Sequence, residues 1–467
     1  MHRTCIGVIL GLLLWSQACH VTYYQKDAQF HQLFLANKLE EADVQLNKNK
    51  RAKRRKNRLL FYLNRGVIAH LMQRYEKSNY FFEQAYIIYE NSFTKPLDEA
   101  LTLVISATTT DYKGEDHEIF LLHYYKILNF LQLEQYSEAL VECRRLNIRL
   151  NQLGDKYKKT NKYRRDAFIH TLMGLVYQAN HEYNDAFIAY RNAIEIYQED
   201  YKRLFGLSAP EQLKKDLLYT AYKTGLHDQV DKYQQEFKLR YDPVKEPMLG
   251  DAVFLWNNGL GPVKDAWSID FVLGHDVGGV ATFSNEELGL FFSFPLPVRD
   301  DSTSIVDLEL IRVAFPKYRE RPLIYDQACI LTPDGKQQTL EILEDVNSIA
   351  SQVLRQRMVL ELSKSLLKVA LKKVAEHQIR KQSEALGILV KGINFVTEKA
   401  DTRNWQTIPH SIYYTRIRLP EGMHQVAFRA SSGKLPCIAV HRQEFCLASR
   451  KDQTLFHIIH SPIAALD

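Results

Sequence analysis

The chain has 467 residues, of which 46% are hydrophobic and 25% are charged, and both values argue for a globular protein. This length predicts two or more domains. The formal net charge of +6 is mild for the length, so charge gives no indication of nucleic-acid binding, and we expect no nucleic acid among the partners.

The first predicted element is an export signal. A short positive start, Met1-His2-Arg3, precedes residues 6–14 (IGVILGLLL), a nine-residue run without charge. This is the length and polarity of a signal-peptide core, whereas a transmembrane helix needs about 20 apolar residues. We therefore expect export followed by removal of the segment.

The end of this segment, WSQACH, resembles a bacterial lipobox because a small Ala18 precedes Cys19. It departs from the common pattern at Ser16, where Leu is usual, and at Gln17, which is bulkier than the usual Ala or Ser. The resemblance implies a signal peptide over 1–18, a lipid on Cys19, and attachment to the outer membrane of a Gram-negative bacterium, facing the periplasm. Ordinary secretion, or an apolar first helix with Cys19 buried, is the alternative.

A tether over residues 19–56 is predicted next, and it contains most of a basic run. The run KNKRAKRRKNR (48–58) has eight basic residues in eleven. A solvated helix start is the ordinary interpretation of such a run. The functional alternative is a basic surface that lies against anionic lipid headgroups near the lipidated end.

Residues 57–243 contain a repeated helical pattern. Two segments carry small and aromatic residues at identical offsets, and these residues are Gly66, Ala69, Tyr75, Ser78, Phe82 and Ala85 in the first and Gly174, Tyr177, Tyr183, Ala186, Tyr190 and Ala193 in the second. A third segment between them places Phe130, Tyr136, Ala139 and Cys143 in register. A weaker fourth segment has Ala221, Val230 and Phe237 at corresponding places.

The pattern resembles tetratricopeptide repeats, in which small residues let two antiparallel helices approach while aromatic residues fill the gaps. The period is irregular, since Tyr75 and Tyr136 are 61 residues apart and Tyr136 and Tyr183 are 47 apart, against about 34 for a bare repeat. Extra segments are therefore expected between units. We also expect the second half of the chain to cover one end of the array.

The concave face of such an array is formed by the first helix of each repeat. The register predicts that this face is mostly apolar, with the side chains of Leu63, Val67, His70, Tyr124, Leu128, Leu131, Thr171, Leu175 and Gln178. An apolar face favours an apolar occupant over a terminal carboxylate. The occupant could be a partner's helix or a segment of this chain.

From residue 244 onward the periodicity changes from 3.6 to 2, which predicts strands. A helical insertion is expected over about 344–398, and its apolar run 385–396 (ALGILVKGINFV) is too short to span a bilayer. Burial is the ordinary interpretation of that run, and insertion at a membrane surface is the alternative. We expect residues 245–343 and 405–467 to form one antiparallel β-sandwich, so that the fold class is α+β with an N-terminal repeat solenoid.

Two cysteines of the second half flank a short segment, CIAVHRQEFC. Two short strands around His441-Arg442 would place Cys437 opposite Cys446. In an oxidising periplasm the two could form a disulfide, and the alternative is two buried thiols.

The order of features along the chain supports a broader resemblance. An exported cysteine and repeat units are followed by NNGLGPVK (257–264), IRVAFPKY (311–318), LEDVNSIA (343–350) and ADTRNWQTIP (400–409). Together these motifs resemble a family of tetratricopeptide-repeat-containing bacterial envelope lipoproteins. The resemblance covers nearly all of the mature chain and brings no established catalytic activity with it.

Catalytic and metal-binding motifs are not evident in the sequence. No GxSxG, HExxH or P-loop occurs. His457 and His460 are three residues apart in a strand-like run, which places them on opposite faces and argues against a metal site. We therefore predict no catalytic residue, no metal and no cofactor.

The most distinctive polar and aromatic set is Lys264, Asp401, Arg403 and Trp405. An Arg beside a Trp is typical of a site that binds carboxylates or stacks on sugar rings. The structural alternative is that Asp401 and Arg403 fix the connection from helix to strand while Trp405 fills the sandwich.

Two functions follow from these observations. The first is a non-enzymatic periplasmic scaffold that uses the helical array to hold an envelope protein, with a role in cell-envelope or peptidoglycan assembly. The second is a protein that binds or processes glycan, including peptidoglycan, through the β-rich domain.

Overall fold

The computed structural model describes residues 22–94, 110–156, 165–242, 249–276, 280–295, 309–382, 400–432 and 440–461. Over these ranges the chain is α+β, with a helical N-terminal region and sheets that are mostly antiparallel after residue 249. Three predicted features lie outside the described residues, namely the signal segment with Cys19, the run 385–396, and Cys437.

The N-terminal region is built from helices joined mostly by short turns. Their bounds are α1 (Tyr23–Lys26), α2 (Ala28–Leu35), α3 (Leu39–Lys48), α4 (Arg58–Leu71), α5 (Tyr75–Thr94), α6 (Asp116–Gln132), α7 (Tyr136–Lys156), α8 (Ala167–Ala179), α9 (Tyr183–Ile196), α10 (Lys202–Phe205), α11 (Glu211–Lys223) and α12 (His227–Phe237). A 3-10 turn over Arg55–Asn57 precedes α4, and a π-helical turn over Tyr197–Tyr201 follows α9. The basic run lies between α3 and α4, where most of its side chains are exposed.

Among the described helices, four pairs form hairpins: α4 with α5, α6 with α7, α8 with α9, and α11 with α12. Each hairpin turn places one residue at positive φ, and these residues are Gln73 (57°), Glu134 (56°), His181 (62°) and Gly225 (73°). In each turn the next amide donates back to a carbonyl five residues earlier, as from Arg74 to Ala69. This Schellman-type bond ends the first helix and reverses the chain.

Close approach within two hairpins depends on glycine. A Cβ on Gly66 would lie 2.5 Å from the Phe82 ring, and a Cβ on Gly174 would lie 2.3 Å from the Tyr190 ring. Since both rings are fully buried, the aromatic side chain of the second helix occupies the space that a larger residue on the first would need.

The second half contains the strands and one long helix, α13 (Val346–Gln382). The strands are β1 (Leu249–Asn258), β2 (Val263–Asp276), β3 (Val280–Asn285), β4 (Leu290–Pro295), β5 (Glu309–Arg319), β6 (Gln327–Leu331), β7 (Gln337–Thr339), β8 (Glu341–Asp345), β9 (Ser411–Pro420), β10 (Gly422–Ser431), β11 (Val440–Ser449) and β12 (Thr454–His460). They form three sheets with orders β12-β1-β9-β8, β11-β10-β6-β7 and β4-β3-β2-β5.

The first two sheets pack face to face as a sandwich. Alternate residues of β1, namely Ala252, Phe254 and Trp256, enter a shared core with Phe428 of β10. The Trp256 and Phe428 rings meet edge to face at 5.5 Å. Successive strand side chains point to opposite faces, so the other residues of β1 face away from this core.

The sandwich differs from the predicted one in two respects. First, β1 pairs with β12 in parallel, so the first sheet is mixed rather than antiparallel. Second, the predicted segment 245–343 does not lie wholly in the sandwich, because its strands β2 to β5 form the third sheet. Alternation of apolar residues predicts strands but leaves open which strands pair, since pairing depends on contacts distant in sequence.

The described residues fall into two compact units. One comprises the described parts of Met1–Ala28, Lys264–Lys317 and Val369–Arg403, and contains the third sheet. The other contains both the helical array and the sandwich. The predicted boundary near residue 243 therefore does not separate compact units. Within the described ranges, no helix combines the length and the apolar character needed to cross a bilayer.

Candidate functional site

The inner face of the helical array is the first part of the candidate site. We use this name for the nine residues predicted to line the concave surface. They are all buried: Leu63, Val67, His70, Tyr124, Leu128, Leu131, Thr171, Leu175 and Gln178. Helices α4, α6 and α8 contribute three residues each. The cover of this face comes from within the chain.

The first sheet of the sandwich covers the inner face. The Tyr124 hydroxyl donates to Asn257 Oδ1 of β1 at 2.9 Å, and His70 Nε2 lies 3.2 Å from His460 Nε2 of β12. The Gln132 amide donates to the Phe456 carbonyl at 2.9 Å. The inner face is thus occupied by a strand pair of this chain. Of the two predicted occupants, a partner's helix or a segment of this chain, the structure shows the second.

The histidines at this contact are held neutral. Burial lowers the pKa of His70 to about 4, although the hydrogen bond with Asn129 opposes the shift. Burial and the nearby His70 lower the pKa of His460 well below its usual value. His457 points to the opposite face of β12, where its ring stacks on Phe254 at 5.1 Å. The two histidines of β12 therefore lie apart, as their spacing predicts.

A buried ion network joins α11 of the array to β1 and β9. Arg416 Nε lies 3.2 Å from Asp216 Oδ1, and Arg416 Nη1 donates to Asp251 Oδ2 at 2.8 Å. The Tyr414 hydroxyl donates to Asp216, and Arg418 Nε donates to Asp251 Oδ1 at 3.1 Å. Each carboxylate is paired, which offsets the cost of removing these charges from water.

Sequence reasoning missed this network. Its signal lies in SIYYTRIRLP, where Tyr414, Arg416 and Arg418 occupy alternate positions of one strand. Charged residues on one strand face normally indicate solvent. Here the strand is buried on both faces, and the polar side chains of its second face are paired with Asp216. Asp216 lies on a helix about 200 residues away in sequence, so no local pattern reveals this pairing.

A polar pocket opens beside this network. It has a volume of about 250 Å³, and its lining includes Tyr183, Tyr219, Lys223, Arg418 and Lys451. The rings of Tyr183 and Tyr219 meet edge to face at 6.0 Å, and the Arg418 guanidinium lies 4.3 Å from the centre of the Tyr219 ring. Burial raises the pKa of both tyrosines, so their hydroxyls stay protonated and can donate.

The predicted polar and aromatic set does not form an open binding site. Arg403 donates through Nε and Nη2 to the two oxygens of Asp401 at 2.8 and 2.7 Å. Lys264 is buried at only 4% exposure. The structural alternative for Asp401 and Arg403, a fixed connection into the sheet, agrees with these contacts.

Trp405 is fully buried, but it does not fill the sandwich as predicted. Its ring packs on Phe82 and Tyr125 of the helical array, with centroids 6.0 and 5.9 Å away. Its backbone amide donates to Glu118 Oε1 at 2.6 Å and its indole donates to Thr407 at 2.9 Å. The tryptophan follows α13 in sequence, so sequence order suggested the wrong neighbour.

The hairpin proposed around His441-Arg442 is also wrong. Residues 440–449 form the single strand β11, in which Arg442 pairs with Arg429 and the exposed Cys446 pairs with Gln425 of β10. An extended strand rises about 3.3 Å per residue, so residues along it separate rather than meet. The geometric reason for a disulfide with Cys437 is lost, and the pairing itself stays a prediction.

The outer helices of the array present apolar side chains to solvent. At the fifth position after the first residue of α5, α7 and α9 stand Tyr80, Val141 and Ile188, which are 57%, 44% and 37% exposed. Ile87 and Ile148, one helical heptad further on, are 44% and 59% exposed. We call these five residues the outer row.

The described residues hold no group of three or more His, Cys, Asp or Glu side chains arranged for a metal ion. The absence of catalytic residues and cofactors stays a prediction.

No family model matches the chain, and no curated protein matches it. Among solved structures, MamA of Desulfovibrio magneticus RS-1, from residue 41 onward, is similar over 45% of this chain and 90% of its own, with 15% identity and a TM-score of 0.29. BtubC of P. vanneervenii is similar over 47% of this chain and 78% of its own, with 13% identity and a TM-score of 0.29. Scores this low do not establish a shared fold.

Proposed function

We propose that the chain is a non-enzymatic envelope lipoprotein that acts as a protein-protein interaction scaffold in the periplasm. The helical region is a tetratricopeptide-like solenoid, and a lipid on Cys19 holds it at the outer membrane. The lipobox resemblance of WSQACH and the repeated hairpins with their glycine-aromatic contacts support this proposal. A role in cell-envelope or peptidoglycan assembly follows from the resemblance of the motifs along the chain.

The observation that carries the scaffold proposal is the outer row together with the closed inner face. Because the sandwich occupies the inner face, a partner must use another surface of the array. The exposed apolar side chains recur at equivalent positions of consecutive hairpins. Repeat proteins use surfaces built in this way to bind partners, and grouped apolar side chains mark interaction sites more often than scattered single ones do.

The charge beside the outer row indicates the chemistry of the partner. Arg144 and Arg191 stand at the equivalent position three residues after Val141 and Ile188, and both are exposed. Neither has an ion-pair partner among the residues described here. We therefore expect a partner protein that presents apolar side chains flanked by Asp or Glu.

The test is affinity purification from cross-linked envelopes with full-length variants. The double variant Val141→Asp/Ile188→Asp should lose a partner that the wild type retains, because carboxylates would replace the apolar contacts. The charge-reversed variant Arg144→Glu/Arg191→Glu should lose the same partner. Val44→Asp changes an equally exposed valine of α3 outside the outer row and should retain it.

Identification of the cross-linked peptide by mass spectrometry completes this experiment. An apolar peptide with acidic neighbours supports the proposal. Recovery of the same proteins from wild type, from both outer-row variants and from Val44→Asp would contradict it.

The lipid anchor has a separate test. Growth with labelled palmitate should label the wild type and the Cys446→Ser variant, in which an exposed thiol is lost. The Cys19→Ser variant should carry no label, since the proposed acceptor is absent. Equal labelling of Cys19→Ser and wild type would refute the anchor.

Glycan binding at the predicted set is not favoured. The Arg403 guanidinium is paired with Asp401, and Trp405 is fully buried against the helical array. Neither side chain is available to stack on or bind a sugar ring in this arrangement.

A further inference from the structure

The polar pocket has the features of a binding site, and it shares no residue with the outer row. Its floor is rigid, because Asp251 accepts from both Arg416 and Arg418. The amide of Gln178 reaches Asp251 Oδ2 at 3.4 Å and completes the floor. Side chains fixed in this way by buried ion pairs are pre-organised for a ligand, which lowers the entropic cost of binding.

The pocket and its floor carry an excess of one positive charge. The basic side chains are Arg416, Arg418, Lys223 and Lys451, and the carboxylates are Asp216, Asp251 and Asp452. Lys223 and Lys451 are exposed and have no carboxylate partner among the described residues. Lys223 instead lies 5.6 and 5.5 Å from the rings of Tyr183 and Tyr219. The excess charge fits a ligand with a single negative charge.

The neutral part of the lining is suited to hydroxyl groups. Tyr183 and Tyr219 bring hydroxyls and aromatic edges, while Gln453 and Thr454 bring an amide and a hydroxyl. The volume of about 250 Å³ is below the range of about 300–1,000 Å³ that is usual for drug-sized ligands, so it suits a single ring. A neutral sugar would leave the lysines unused, and a dianionic phosphate would exceed the available charge.

From this lining we propose that the polar pocket binds a small sugar acid, a single hydroxylated ring with one carboxylate. The carboxylate lies between Lys223 and Lys451, and the hydroxyl groups of the ring contact Tyr183, Gln453 and Thr454. This site differs from the set at Arg403 and Trp405, and it does not depend on the scaffold proposal.

The probe for this proposal is glucuronate, measured by isothermal titration on the full chain, with glucose and inorganic phosphate as comparison ligands. Glucuronate should bind at least about fivefold more tightly than either comparison ligand, and added salt should weaken it. Lys223→Ala and Lys451→Ala should each weaken glucuronate binding by about fivefold, the effect of one exposed charge contact. Tyr183→Phe should weaken it while leaving the fold unchanged.

Lys232→Ala is the matched control, because Lys232 also lies over a tyrosine ring, 5.2 Å from that of Tyr233, but outside the pocket. It should bind glucuronate as the wild type does. Circular dichroism and the thermal midpoint confirm folding of each variant. Absence of saturable glucuronate binding to the folded wild type would overturn the proposal. Equal binding of phosphate or glucose, or an equal loss in Lys232→Ala, would also overturn it. All these readouts use purified protein, so a failed partner search has no bearing on them.

Discussion

Single residues decide how closely the helices of a hairpin approach. Gly174 faces Tyr190, whose hydroxyl donates to Gln178 at 3.0 Å. The ring is therefore held at both ends, by packing at the glycine and by a hydrogen bond at the inner face. A side chain at position 174 can be accommodated only if this ring moves.

Gly174→Ala should lower the free energy of unfolding by about 1–2 kcal/mol. Overpacking costs about 1–3 kcal/mol, and the higher helix propensity of Ala returns up to about 1 kcal/mol. Urea denaturation measures the change. As a control, the same substitution made on a Tyr190→Leu background should cost less than it does alone, since the two residues are in contact. If the free-energy changes of the two substitutions simply add, the Tyr190 ring is not what opposes a side chain at position 174.

The buried histidines should make the protein sensitive to acid. In the folded protein the pKa of His70 is about 4, while the unfolded chain titrates near the ordinary value of 6.5. Between these values the unfolded state binds more protons, so stability is fully present above about pH 6.5 and is lost as the pH falls towards 4.

His70→Gln should reduce the slope of unfolding free energy against pH by about 1 kcal/mol per pH unit between pH 4 and 6.5. We expect the variant to be less stable at every pH because a buried contact is lost, so the slope is the informative quantity. His181→Gln is the control, because the equivalent turn position in the first hairpin is already Gln73. An unchanged slope in His70→Gln would contradict the pKa of His70.

At the scale of elements, the ion network decides how β9 meets the array. Arg416 is enclosed, with about 1% of its side chain exposed, and it contacts two carboxylates. Removing it would leave Asp216 and Asp251 without their principal partner. Buried ion pairs contribute little net stability, but breaking one is costly.

Arg416→Met should therefore lower the free energy of unfolding by about 3–5 kcal/mol. Arg312→Met is the control, because Arg312 also makes two hydrogen bonds to carboxylate oxygens, both of Asp270, but on an exposed surface. We expect no measurable change in the urea midpoint of that variant. Similar losses of unfolding free energy in the two variants would show that burial of the Arg416 network does not determine the cost of breaking it.

Elements that depend on local sequence could be predicted, and those that depend on distant contacts could not. The hairpins follow from the spacing of Gly66 to Phe82 and of Gly174 to Tyr190, because each of these two pairs lies within a single helix hairpin. The parallel pairing of β1 with β12 joins residues about 200 positions apart, and no local pattern encodes it. For the same reason the polar pocket, which combines residues of α8, α9, α11, β1, β9 and the β11–β12 turn, was missed.

At the scale of the whole molecule, the array and the sandwich share one compact unit. The inner face is mostly apolar and buried, and β1 and β12 contact it through Asn257 and His460. Hydrogen bonds from Tyr197 to the Leu343 carbonyl at 2.6 Å and from Tyr201 to Glu344 at 3.0 Å add a further connection at β8. We therefore expect the two parts to unfold together, although the sequence changes from helix to strand between them.

The sandwich closes the inner face of the array, and this contact can be tested in solution. Two tryptophans report on the two sides of this contact, because Trp256 lies in the sandwich core and Trp405 packs on Tyr125 of the array. Variants that retain one of them, with the other tryptophans replaced by Phe, should be unfolded in urea while their fluorescence is followed. Because the sandwich and the array are in contact, we expect coincident midpoints for Trp256 and Trp405; well-separated midpoints would show that the two parts unfold independently and that the sandwich does not close the inner face.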